Sequence, residues 1–170
     1  MIYICCTARL EAALSFPQLV RPEPTRCRLG VWYANDMDDR NAILLEAQTR
    51  LVVIIPLAPT STFADRAVAD IRSRVGRISS ARGAVDRELQ FMTAATFTNT
   101  PHAGLQSSLE AIRRTAVQIR SDHPRFSLTE VADRLCTIPV RAKGFQTPWE
   151  LAIVHLGGTV DGPASDPHAT

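Results

Sequence analysis

The sequence lacks a long apolar run, because no stretch approaches the roughly 20 residues that a membrane-spanning helix needs. The opening MIYICCTARL also lacks a basic segment ahead of its apolar residues, which argues against a secretory signal. With 45% hydrophobic and 21% charged residues, the composition is typical of a soluble globular protein. We therefore expect a cytoplasmic protein that has no membrane partner.

The usual sequence signals of metal, redox and phosphate chemistry are also missing. No pair among the four cysteines has the Cys-x-x-Cys spacing of zinc and redox motifs, so we expect small buried or half-buried core residues in a reducing compartment. No pair of histidines has the spacing of a helical metal site, and there is neither a Gly-rich phosphate loop nor a nucleophile elbow. Asp36, Asp38 and Asp39 lack the glycine and the closing glutamate of a calcium loop, so we interpret them as a solvated turn. We expect no metal and no cofactor.

Lysine is nearly absent, since Lys143 is the only one and every other basic residue is arginine. A G+C-rich genome would produce this bias, and so would a need for guanidinium groups that bind phosphate or carboxylate through two hydrogen bonds. Composition does not separate these explanations. The net charge of +2 is too small to indicate a polyanionic partner.

The pattern of apolar residues predicts an α+β fold in one domain over residues 1–158, followed by a disordered tail over residues 159–170. The N-terminal part predicts an antiparallel sheet of about four strands, and the later part predicts a group of helices packed against it. The predicted strands are 1–6, 29–34, 42–45 and 51–57, with the turn chemistry of residues 35–39 between the second and third. We expect residues 51–55 to form an inner strand, because nearly all of them are apolar and β-branched.

Helical periodicity and capping residues predict most of the helices. Thr62, Ser127 and Thr147 are predicted N-caps, each followed three residues later by an acidic side chain. The predicted helices span 8–14, 62–76, 85–93, 104–122, 127–136 and 147–156, and residues 93–100 are predicted to be extended.

The candidate binding residues are aromatic and basic. On a strand, Trp32 and Tyr33 point to opposite faces, so we expect one in the core and the other, Tyr33, on a partner surface beside Arg28, Arg40 or Arg50. Six basic residues of the second half could form one patch: Arg113, Arg114, Arg120, Arg125, Arg141 and Lys143. Acidic residues interleave with this patch, which favours a salt-bridged solvated face as the alternative.

Several short motifs together resemble those of an uncharacterised bacterial family of small α+β proteins. They are Cys6-Thr7, Trp32-Tyr33-Ala34 with Arg40, Pro139, Gly144-Phe145 and Pro148-Trp149-Glu150. The resemblance covers residues 1–156 and implies no activity. Members often carry an Asn-Arg pair just before the Gly that opens the long helix, whereas Asn99 is followed here by Thr100.

Three functions are compatible with these features. We expect a non-enzymatic protein that binds another protein, such as an inhibitor or an antitoxin-like or anti-defence regulator encoded by a bacterium or its mobile elements. The first alternative is a nucleic-acid-binding protein that uses the arginine-rich helical face. The second is a small hydrolase or nuclease, for which Asn99 and His102 are the candidate catalytic residues. The oligomeric state does not follow from the sequence.

Overall fold

A computed structural model describes residues 1–14, 26–98 and 103–160. The strands are β1 (Ile2–Cys6), β2 (Val31–Asp38), β3 (Asn41–Glu46), β4 (Val52–Pro56) and β5 (Ala95–Thr98). The helices are α1 (Ala8–Leu14), α2 (Phe63–Gly76), α3 (Arg82–Phe91), α4 (Ala103–Asp122), α5 (Leu128–Leu135) and α6 (Pro148–His155). The predicted tail lies mainly in residues 161–170, outside this described part.

The five strands form one mixed sheet in the order β4-β3-β2-β1-β5. Strands β2, β3 and β4 are the expected antiparallel meander, whereas β1 runs parallel to both of its neighbours, β2 and β5. The predicted α+β fold is confirmed, but a purely antiparallel sheet of about four strands is wrong. A hairpin can be predicted because its turn residues are adjacent in the sequence. The parallel pairing of β1 could not be predicted, because long crossovers connect β1 to its partner strands.

Both faces of the sheet are covered by helices. Phe97 of β5 is in register with Ile4 of β1, and Phe63 of α2 packs against Phe97 with ring centroids 6.3 Å apart. Cys5, the next residue of β1, therefore points to the opposite face of the sheet. Its partners across the strands, Tyr33, Leu45 and Val52, lie on that same face. Helix α4 packs on this second face, against β2 and β3. The core consequently lies on both sides of the sheet.

Strand β4 is an edge strand, so its predicted place inside the sheet is wrong. Its apolar sequence has another cause, because α2 and α5 both pack against it. The thiol of Cys136, which follows α5, accepts a hydrogen bond from the backbone N–H of Val52 at 3.3 Å. Helix α5 therefore covers the outer edge of β4, which would otherwise expose unpaired backbone groups.

All three predicted N-cap residues lie at the N-cap position of their helix, but only two of them form side-chain cap bonds. Ser127 and Glu130 form a reciprocal capping box at the start of α5, and Thr147 and Glu150 form another at the start of α6. Thr62 makes no side-chain cap bond to α2, and its hydroxyl oxygen instead accepts a hydrogen bond from Arg66 Nε at 3.2 Å. These caps orient the last two helices and the loop between them, which carries part of the candidate site.

No helix among the described residues combines the length and the apolar character required to cross a membrane.

Candidate functional site

The two candidate catalytic residues, Asn99 and His102, lie outside the described residues. The hydrolase hypothesis therefore stays a prediction. Among the described residues, no group of three or more His, Cys, Asp or Glu side chains is arranged to hold a metal ion.

The predicted surface position of Tyr33 is wrong, because both aromatic residues of the Trp-Tyr pair are buried. Trp32 is fully covered and Tyr33 is only 8% exposed. Burial raises the pKa of the Tyr33 hydroxyl, and the adjacent Cys5, with which it shares a hydrogen bond, raises it further. Helices cover both faces of β2, so alternation along the strand buries one aromatic on each side. A partner does not reach Tyr33 from the surface.

The arginines of α4 are held by carboxylates. Glu110 accepts hydrogen bonds from Arg113 Nε at 2.7 Å and from Arg114 Nε at 2.9 Å, and these bonds lower the pKa of Glu110 to about 2. Arg120 pairs with Asp38 across 3.2 Å. Salt-bridged arginines of this kind leave less free positive charge for phosphate groups than the predicted patch would.

The acidic residues near the end of β2 are spread over separate partners. Asp36 pairs with Arg9 at 3.1 Å, and Asp38 accepts hydrogen bonds from the backbone N–H of Arg40 and from the Asn41 side chain. Arg40 is exposed and lies on the rim of a shallow depression of about 430 Å³. Its side chain has no ion-pair partner among the described residues.

Arg74, Arg77 and Asp133 form an ion-pair cluster between α2 and α5. Arg74 has only 4% of its side chain exposed and, with Arg77, donates hydrogen bonds to Asp133 Oδ1. Both guanidinium groups also lie over the Trp149 ring, 5.4 and 5.6 Å from its centroid. Burial raises the pKa of Asp133, but the bonds from Arg77 and Arg74 outweigh it and leave the pKa below its ordinary value. We interpret this cluster as the contact that holds α5 and α6 to α2.

Arg141 and Lys143 lie in a short hairpin that we call the basic hairpin, residues 140–146. Its stem is an isolated antiparallel bridge in which Val140 N–H donates to the carbonyl of Gln146 at 2.8 Å. The chain reverses at a single turn of 3₁₀ helix, Arg141–Lys143, that ends on Gly144 in the left-handed region at φ 70°. Neither basic side chain has an ion-pair partner in the described part of the chain.

Phe145 is the most exposed large apolar residue of the described chain, with 67% of its surface accessible. It is also in the left-handed region, at φ 62°, which is rare for a residue with a bulky side chain. Its backbone N–H donates to the carbonyl of Val140 at 3.1 Å, so the conformation is held by the hairpin. Sequence reasoning treated Phe145 only as part of a family motif. The sequence signal for an exposed aromatic residue was its position directly after a glycine in a basic turn.

An apolar cleft of about 220 Å³ lies between α4 and the segment that leads into the basic hairpin. Its walls include Val52, Ile112, Leu135, Ile138, Val140 and Pro148. Arg50 is the one charged residue of its lining and has a left-handed backbone at φ 64°. The cleft could not be predicted from the sequence, because its walls come from four separate parts of the chain.

Comparison with curated proteins and with solved structures gave no match. A family model described as a domain of unknown function, DUF6933, matches residues 3–151. This match spans the sheet, helices α1 to α5 and the basic hairpin, in agreement with the resemblance to an uncharacterised family. The chain therefore belongs to the DUF6933 family.

Proposed function

We propose that this protein is a non-enzymatic regulator or inhibitor that binds another protein through the basic hairpin. The observation that carries the proposal is the exposed side chain of Phe145 in the same short hairpin as Arg141 and Lys143, neither of which makes an ion pair with the described residues. Exposed aromatic and basic side chains of this kind are the residue types that most often dominate protein interfaces.

The backbone of the hairpin supports this proposal. A bulky residue in the left-handed region costs on the order of 1–3 kcal/mol, and such residues tend to occur at functional positions. Burying an exposed phenylalanine against a partner would contribute about 1.5–3 kcal/mol to the free energy of binding, which is comparable with that cost. Because backbone hydrogen bonds already fix the loop, binding would cost little additional conformational entropy.

The charges indicate the chemistry of the partner. Two cationic side chains and one exposed aromatic ring in a single hairpin fit an acidic surface with an apolar pocket. A regulator that acts by occupying such a surface needs no catalytic groups of its own. An antitoxin or an anti-defence inhibitor encoded by a mobile element would work in this way.

The test is recovery of a stoichiometric protein partner by the tagged protein from a lysate of its native host. We expect Phe145→Ala to abolish recovery, and we expect the double variant R141E/K143E to reduce it at least tenfold. Phe91→Ala removes another exposed aromatic ring, and R125E/R134E reverses two other exposed charges, so both controls should retain the partner.

Two results would overturn the proposal. One is a monomer that retains no protein at stoichiometric level. The other is equal recovery by the wild type and Phe145→Ala. If nuclease treatment removed the bound material and retention fell steeply with salt, the protein would instead be a nucleic-acid-binding protein.

A further inference from the structure

We propose that the apolar cleft between α4 and residues 135–140 is a binding site for a small monocarboxylic acid with an apolar body. This site is separate from the protein-binding surface proposed for the basic hairpin, although Val140 belongs to both. The ligand class follows from the volume of the cleft, its apolar walls and its single charge.

The volume limits the size of the ligand. About 220 Å³ equals roughly seven water volumes of ~30 Å³ each, so the cleft has room for a small molecule and not for a peptide or a nucleotide. Most of the lining is aliphatic or proline, which favours a branched, aromatic or medium-chain hydrocarbon over a sugar or a nucleotide.

Arg50 determines the charge of the ligand. Its guanidinium donates through Nη1 to the carbonyl of Ala47, and this is its only hydrogen bond to the described residues. Burial lowers the pKa of Arg50, whereas Glu46 and Tyr33, which lie near enough to act through space, raise it. No carboxylate in the described part of the chain makes an ion pair with it, so the remaining N–H groups are available for an anion. One guanidinium matches one carboxylate through two hydrogen bonds, whereas a phosphate dianion would need further positive charge.

Hydrogen bonds to Glu46 hold the turn that carries Arg50. Glu46 Oε2 accepts hydrogen bonds from Gln48 N–H at 2.8 Å, from Thr49 N–H at 2.6 Å and from the Thr49 hydroxyl at 2.8 Å. The N–H of Arg50 donates to the Glu46 carbonyl at 3.2 Å. Because these bonds hold the turn before any ligand arrives, the cation is already positioned at the wall of the cleft.

The Thr115 hydroxyl of the lining contributes less to the choice of ligand. Thr115 already donates its hydroxyl hydrogen to the carbonyl of Ala111 at 3.0 Å within α4. Its oxygen can still accept a hydrogen bond, but it offers no second donor for an anion. The carboxylate is therefore expected at Arg50, with the hydrocarbon extending toward Ile112 and Leu135.

The experiment titrates the intact protein with benzoate, phenylacetate and octanoate, and with the matching primary amides, by calorimetry and ligand-observed NMR. We expect at least one acid to bind with a micromolar to low millimolar Kd, and its amide to bind at least tenfold more weakly. Arg50→Gln removes the charge and should weaken the acid at least tenfold without changing the amide. Arg125→Gln removes an exposed arginine elsewhere and should leave both affinities unchanged.

A second variant keeps the test decisive if Arg50→Gln does not fold. Ala111→Leu places a larger side chain at the cleft wall and should abolish binding of acid and amide alike. Phe145→Ala should bind the acid as the wild type does, so loss of partner binding and loss of ligand binding remain distinguishable. Three results would overturn the proposal: equal affinity for acid and amide, unchanged acid binding by Arg50→Gln, or no binding of any probe acid at 10 mM, which is about tenfold above a Kd of 1 mM.

Discussion

At the scale of single residues, burial makes the four cysteines poor nucleophiles. None of the four forms a disulfide, and Cys5, Cys27 and Cys136 are buried and Cys6 half-buried, as the sequence predicted. Burial raises the pKa of Cys5 to about 11 and that of Cys6 to about 12, and it raises the pKa of Cys27 and of Cys136 as well. The thiolate is the reactive form, so little of it is present near pH 7.5.

We therefore predict that the native protein reacts slowly with an aromatic disulfide reagent at pH 7.5. Absorbance at the released thiolate band should show all four thiols reacting promptly only after denaturation in urea. Rapid release of one equivalent from the native protein would show that one of these thiols is accessible and ionised.

Glu46 is a second residue whose pKa is shifted by burial. Its side chain is fully buried, and Oε1 has no hydrogen-bond partner among the described residues, while Oε2 accepts all three bonds. Burial raises the pKa of Glu46, and the bonds from Thr49 and Gln48 lower it only in part. The native state therefore binds a proton more tightly than the unfolded chain does.

We predict that Glu46 stabilises the fold most below about pH 4, the ordinary range for its unfolded pKa, and that this contribution is lost as pH rises through the raised native value. Urea unfolding of the wild type and of Glu46→Gln at pH 4 to 8 measures it. The wild-type free energy of unfolding, relative to that of the variant, should fall across this range.

Glu130 provides a control of opposite sign. Its pKa is lowered by the hydrogen bonds from Ser127, so its contribution is present above the ordinary pKa and is lost as pH falls. The wild-type free energy of unfolding relative to Glu130→Gln should therefore rise with pH. The same trend for both variants would contradict the assignment of Glu46.

At the scale of elements, the two capping boxes lead to a stability prediction. Ser127→Ala and Thr147→Ala should each lower the free energy of unfolding by about 1 kcal/mol, because each leaves helix N–H groups without an acceptor. Thr62→Ala should have a smaller effect, since Thr62 does not cap α2 through its side chain. Urea unfolding at pH 7 compares the three, and an effect of Thr62→Ala as large as the other two would reject the distinction.

Local signals explain which elements could be predicted from the sequence. Ser127 with Glu130, and Thr147 with Glu150, are pairs three residues apart, and the apolar stripes of α2 and α4 repeat within a few turns. The direction of β1 and the edge position of β4 are not local. They depend on crossovers and on α5, whose cover makes an edge strand as apolar as an inner one.

The candidate site was predicted only in part, for the same reason. The basic character of Arg113, Arg114 and Arg120 was evident, but Arg120 is neutralised by Asp38, which is 82 residues distant in sequence. Arg141 and Lys143 remain available because they make no ion pair with a carboxylate of the described residues. The exposure of Phe145 and the assembly of the apolar cleft likewise depend on tertiary structure.

At the scale of the whole molecule, the packing of α5 on β4 joins the helical half to the sheet. Val131 of α5 is fully buried, whereas Val117 of α4 is 42% exposed. Val131→Ala removes two buried methyl-sized groups and should cost about 2 kcal/mol, whereas Val117→Ala should change stability by less than about 0.5 kcal/mol. Thermal and urea unfolding of both variants test this difference, and equal effects would contradict the docking of α5.

The packing of α5 over the edge of β4 also bears on how readily the protein aggregates. The strand that α5 protects begins with Val-Val-Ile-Ile, an apolar and β-branched run whose unpaired edge is a template for pairing with another chain once it is open. Partial undocking of one short helix would thus convert the folded protein into a seed for intermolecular β-structure. We expect Val131→Ala, stored at high concentration, to form thioflavin-positive aggregates sooner than an equally destabilised variant with its change far from α5.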